Sequence, residues 1–240
     1  MERYPSPPAY HFKPLICHFD GGFGAIGDAF YEAADRLEKL ADQERFINSS
    51  LPAAYLYRHA VELYLKSLVV VLHRSLSLPF GPNPATGEAA IQIGEKWIPI
   101  TRVHDVRALH EHFTRVMAQH MDELQTAART DWTTIPNELG DWVGGIAEFD
   151  QKSTFFRYPG AGDTVKADFK ESSIEDTCSR IGPHSPPLKA FVELNENDEL
   201  VRAFHMDLSH LEPIRNTLRR TASALSTLHF AFRSELAGGM

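Results

Sequence analysis

The stretch Leu51-Pro-Ala-Ala-Tyr-Leu-Tyr-Arg-His-Ala-Val-Glu-Leu-Tyr-Leu-Lys-Ser-Leu-Val-Val70 restricts the possible folds more than any other part of the chain. Leu56, Ala60, Leu63 and Val70 recur at three- and four-residue steps, with Ser67 filling the remaining step, which predicts a helix. Leu51, Tyr55, Tyr64, Leu65, Leu68, Val69, Val71 and Leu72 spread its apolar surface well beyond one stripe. A helix apolar nearly all round must be covered on several sides, so the rest of the chain has to supply the cover. Ser50 is placed to cap it, and Pro52 falls in the first turn, where a missing N–H costs little. Arg58, Glu62 and Lys66, at i, i+4 and i+8, share one face, with His59 one step round. They form either the helix's one wet face or part of a polar network that needs partners elsewhere.

Helical periodicity recurs on both sides of this stretch. Residues 25–46 carry Phe30, Ala33 or Ala34, Leu37, Leu40 and Ala41 on one face and Asp28, Glu32, Asp35, Glu38 and Asp42 on the other. The short break at Asn48-Ser-Ser50 predicts an antiparallel pair with the central helix. Further helices are expected over 106–128, with Asp105 as N-cap or first-turn carboxylate, from about Thr134, and from Ser209-His-Leu-Glu212, a capping box, to about Ser234. Ala90–Ile93 and Lys96–Ile100 predict a hairpin with Pro99 on an edge, and 189–194 with 199–204 predict a second. Pro5, Pro7, Pro8 and Pro14 predict an extended arm over 1–19. Asp20-Gly-Gly-Phe-Gly-Ala-Ile-Gly-Asp28 lacks the Gly-Lys-Ser/Thr of a phosphate loop and is read as a flexible lead into a helix. The expected fold is mainly α. It is an antiparallel bundle of four to five helices in a single domain, 1–240, with β-containing insertions at about 77–101 and 160–207.

A net charge of −8 argues against non-specific coating of nucleic acid, and no double-stranded DNA partner is expected. Cys17 and Cys178 have no zinc spacing and make no disulfide scaffold. The polar N-terminus lacks the apolar run of a secretory signal, and Leu68–Leu72 is too short to span a bilayer. These features predict a cytoplasmic protein without a membrane partner.

Arg58-His59-x-x-Glu62-Leu63-x-Leu65-Lys66, His104-Asp105-x-x-x-Leu109, and Asp150 with Phe156-Arg157-Tyr158-Pro159 together resemble the bacterial HEPN-like helical proteins. The resemblance implies a helical bundle, often homodimeric, in a family that includes RNA-cleaving toxins and defence effectors, nucleotidyltransferase partners and non-catalytic domains. Its catalytic members carry Arg-x4–6-His near the start of a late helix. Arg107-Ala-Leu-His-Glu-His112 and Arg115-Val-Met-Ala-Gln-His120 have that spacing but fall in the middle helix.

Three functional readings stand side by side. The first is binding of RNA or nucleotides, extending to a metal-independent ribonuclease in defence or stress. There Arg107 would stabilise phosphate charge and His112 would act as acid or base. The second is a non-catalytic, dimeric interaction module whose cluster of Arg58, His59, Glu62, Lys66, His104, Asp105, Asp150, Arg157 and Tyr158 is structural. The third is a metal-dependent phosphohydrolase using His104 and Asp105. No cofactor is expected, and the leading reading needs no metal.

Overall fold

The computed structural model describes residues 8–44, 50–81, 88–132, 135–150, 169–180, 190–207 and 211–239. Its organising element is α3 (Ser50–Ser75), where every residue from Ala60 to His73 is buried. That matches its sequence, which leaves no apolar-free face to solvent. The cover comes from α2 (Phe23–Glu44), α4 (Val106–Gln119) and α8 (Glu212–Leu236), all packed against α3. The helix α6 (Glu138–Phe149) packs on α4 and α8.

Hydrogen bonds fix how α2 lies on α3. Tyr57 donates to Asp35 at 2.8 Å, and Tyr64, seven residues later, donates to Asp28 at 2.8 Å. Seven residues is two helical turns, so both tyrosines lie on one face of α3. Their partners recede along α2 by the same interval, so the two helices run antiparallel. The acidic side of α2 is therefore not all solvated, because Asp28 and Asp35 take up the hydroxyls of two buried tyrosines.

The expected bundle of four to five helices is incorrect. Among the described residues there are eight α-helices and two small antiparallel sheets. Three short helices account for much of the difference. The helix α1 (Pro8–Phe12) lies in the segment expected to be extended. Pro8 is its first residue, where proline needs no N–H partner and its fixed φ suits a helix. The predicted 106–128 helix is two, because the chain breaks at His120 (φ −121°) before α5 (Met121–Ala127). Leu124 is still buried, so one apolar stripe continues across the break. The helix α7 (Ile174–Ser179) begins at Ser173, whose hydroxyl accepts from the Asp176 N–H. Ser173-Ile-Glu-Asp176 is a capping pattern legible in the sequence.

The strands β1 (Ala90–Ile93) and β2 (Lys96–Pro99) form a two-stranded hairpin around Gly94-Glu95, with Gly94 at φ +59°. The strands β3 (Phe169–Ser172), β4 (Ala190–Leu194) and β5 (Leu200–Met206) form a second sheet in the order β3-β5-β4. The outer strand β4 is exposed along its whole length. No helix among the described residues is long and apolar enough to cross a membrane.

Candidate functional site

Glu62 sits at the middle of α3 with 1% of its surface exposed. Its Oε1 accepts from Lys66 Nζ at 2.8 Å and lies 3.0 Å from His104 Nδ1. Its Oε2 lies 3.4 Å from Arg58 NH1. Arg58 NH2 donates to the His104 carbonyl at 2.7 Å, and Arg58 Nε lies 3.6 Å from Asp150 Oδ2. Arg58, Lys66 and Asp150 are all buried, whereas the His104 side chain is half exposed. Three elements meet here: α3, the segment leading into α4, and the C-terminus of α6. Two cations face two anions, so the buried charge balances. Burial pushes the Glu62 carboxyl up, but Lys66, Arg58 and His104 pull it down further, leaving it below its ordinary range. Glu62 is therefore ionised at neutral pH and bound up with its partners.

Other predicted residues lie elsewhere. Asp105 caps α4, accepting from the N–H groups of Arg107 and Ala108. His59 stacks on Tyr55 and meets the edge of Phe30, on the α2 side of α3. Arg157 and Tyr158 lie outside the described residues. Arg107 reaches α6, donating to the Gly144 carbonyl at 3.1 Å and to Glu148 at 3.0 Å. His112 points instead toward α3 and β1 and is buried. Within one chain the two are turned to different neighbours.

His112 belongs to a cluster that sequence reasoning missed. Its Nδ1 accepts from the Gln92 N–H at 3.2 Å and from Arg115 NH2 at 2.8 Å. Its Nε2 lies 3.1 Å from His73 Nε2. His73 Nδ1 faces the Pro79 carbonyl at 3.2 Å and can only donate there. The network therefore assigns both tautomers: His112 carries its proton on Nε2 and gives it to His73 Nε2. Each ring is neutral and fully used. Burial, then His73 and Arg115, lower His112 to about 4, and burial also lowers His73.

This arrangement makes a pH prediction. The folded His112 takes its proton at about 4, against an ordinary value of 6.5, so between those values the unfolded chain binds more protons. The stability this group contributes is complete above 6.5 and is lost as pH falls toward about 4. The loss is roughly 3 kcal/mol over that window. Urea unfolding from pH 7 to pH 4 should show this slope together with the contributions of His73, His110 and His229, which burial also lowers, and His112→Phe should reduce it. An equal slope in the variant would refute the assignment.

A third polar cluster centres on Asp20. Its carboxylate accepts from Gly22 N at 2.8 Å, from Gly24 N at 2.7 Å and from the Ser67 hydroxyl. The glycine-rich lead into α2 is thus a built cap, tied to the middle of α3. An aspartate three residues before the helix was the signal for it.

Among the described residues, no group of three or more His, Cys, Asp and Glu is arranged to hold a metal. His104 and Asp105 diverge, one to Glu62 and the other to the α4 cap. The fold and the site define a mainly α protein built on a buried helix with a charge-balanced interior cluster. No family model matches the chain, and neither a curated protein nor a solved structure matches it.

Proposed function

We propose that the chain is a non-catalytic, self-associating interaction module whose charged cluster on α3 is structural. The observation that carries this reading is the pairing around Glu62 of two buried cations with two buried anions, with the half-exposed His104 ring on its outer side. A general acid or base has to reach a substrate proton, and the charged atoms there are committed to each other. The neutral, enclosed His112 supports the same reading against a ribonuclease, since its pKa of about 4 is far from that of a base poised near neutrality. A relationship to the HEPN-like family belongs to this reading through its non-catalytic members. A cytoplasmic location belongs to it too, supported by the exposed free thiols of Cys17 and Cys178, which suit a reducing compartment.

The surface we assign to self-association is β4. Among the described residues the outer edge of β4 is unpaired; such an edge offers free backbone donors and acceptors, and natural proteins usually blunt it. Here Phe191 is 61% exposed, Val192 42% and Leu194 51%. Antiparallel pairing with a second copy about Val192 sets Phe191 opposite Glu193 and keeps the two Glu193 carboxylates from facing each other. RNA is the less favoured partner. A net charge of −8 opposes a phosphate backbone, and Arg215 and Arg219 already approach Glu38 at 3.7 and 3.6 Å.

Two measurements test the reading. Sedimentation of the full chain should show a dimer, and Val192→Lys, which faces two ammonium groups across the axis, should weaken it at least about tenfold. A monomer at every accessible concentration would refute self-association. Incubation with labelled single-stranded RNA should give no cleavage above buffer. Cleavage that disappears in Arg107→Ala or His112→Ala would overturn the non-catalytic assignment.

A further inference from the structure

A cavity of about 610 Å³ opens between α6 and α8, bordered by residues around Trp132 and Ile135 and by Tyr31 and Asp35 of α2. It lies outside all three polar clusters. Its volume is within the roughly 300–1,000 Å³ of small-molecule sites. The room comes from the sequence of α8. Ala224 and Ala231 stand on its inner face where larger side chains would close the gap, and Leu228 lies between them. Trp142 and Leu139 of α6 form the opposite wall.

The lining is apolar with one distinctive polar feature. The Arg220 guanidinium lies 4.8 Å above the Trp142 ring. No carboxylate pairs with it among the described residues. Arg219, on the rim, is drawn toward Glu38 at 3.6 Å. The acids on the border are engaged: Asp35 accepts from Tyr57 at 2.8 Å, and Asp131 has an interaction of its own. Arg220 is therefore a lining cation with no carboxylate partner among the described residues, and it stands at the edge of an apolar wall.

We infer that this cavity binds a small organic carboxylate, its apolar body against Trp142 and Leu228 and its carboxylate on Arg220. Burial of the body supplies affinity, and the guanidinium, already oriented by the tryptophan face, selects the anion. Aryl and alkyl carboxylates share this chemistry. The assignment does not depend on the self-association reading, since β4 takes no part in the cavity.

Calorimetric titration of the full chain with 1-naphthoate, decanoate and the neutral 1-naphthamide tests it. At least one carboxylate should bind at a single saturable site, and 1-naphthamide should bind at least about tenfold more weakly than 1-naphthoate. The tighter of the two carboxylates identifies the aryl or the alkyl class. Arg220→Gln should abolish the preference for the anion and leave 1-naphthamide unchanged. Ala224→Phe, filling the cavity, should remove binding of all three probes. Ser223→Trp at the mouth serves the same purpose if the first variant does not fold. Absence of saturable binding by both carboxylates overturns the inference. So does a naphthoate affinity unaffected by Arg220→Gln, or binding that survives a folded cavity-filling variant.

Discussion

Glu62→Gln should destabilise the fold by about 3–5 kcal/mol, the range found when one partner of a buried ion pair is removed. The side chain keeps its volume, so packing is nearly unchanged. What changes is charge: Arg58 and Lys66 remain buried with Asp150 as the remaining buried acid of the cluster, and Lys66 loses the carboxylate at 2.8 Å. Removing the opposing charge together should hurt less. Glu62→Leu with Lys66→Met replaces the pair by apolar groups of similar size, and its loss should be under half that of Glu62→Gln. Guanidinium unfolding of the three proteins measures both values. A loss below about 1 kcal/mol for Glu62→Gln, the level of an exposed pair, would show that the cluster is solvated after all.

The same residue sets a second acid limit. The folded pKa of Glu62 lies below its ordinary 4.5, so the folded state binds fewer protons than the unfolded chain beneath that value. The stability Glu62 contributes is present above 4.5 and is lost as pH falls through its lowered folded value. The histidine pair acts from 6.5 downward, so the upper part of an acid unfolding profile belongs to the histidines and the lowest part to Glu62. Glu62→Gln should remove the lowest part only.

Sequence periodicity made α3 legible because burial on every side leaves an unusually dense apolar run, and the i, i+4, i+8 charges on it were visible for the same reason. Arg58, Glu62 and Lys66 pair with one another and with His104 and Asp150, whereas His59 and Asp105 face other partners. The tautomer-locked His73–His112 pair was not legible. His73 lies in the last turn of α3 and His112 is 39 residues away, so only tertiary packing joins them. For α5 the helix count failed for a local reason. A break such as that at His120 leaves the apolar stripe intact, and periodicity reads the stripe and not the axis. The tyrosine–carboxylate bonds between α2 and α3 were not legible from periodicity, which places the α2 acids on a face but gives them no partner. Two tyrosines and two aspartates, each pair seven apart on neighbouring helices, were the available signal.

Gly24→Ala tests the Asp20 cluster, and the structure reverses the sign that propensity alone gives. Within a helix, alanine is favoured over glycine by about 1 kcal/mol, and Gly24 stands in the first turn of α2. A Cβ at this position, however, would run into the His229 imidazole and come 2.8 Å from Asp20 Oδ2. Neither group has room to retreat. His229 is 2% exposed and packs on the Tyr64 ring at 5.5 Å, and Asp20 is held by Gly22, Gly24 and Ser67. Overpacking at such a site costs typically about 1–3 kcal/mol, and the expected loss here is at the upper end. His229→Ala should itself destabilise the fold by opening a cavity, yet it removes the obstacle. In that background Gly24→Ala should become neutral or stabilising by up to about 1 kcal/mol. The double-mutant cycle should then give a coupling of roughly 2–4 kcal/mol, the reversal of one substitution's sign by the other. Urea unfolding of the four proteins decides it: additivity within about 0.5 kcal/mol would mean that Gly24 and His229 do not share the space assigned to them.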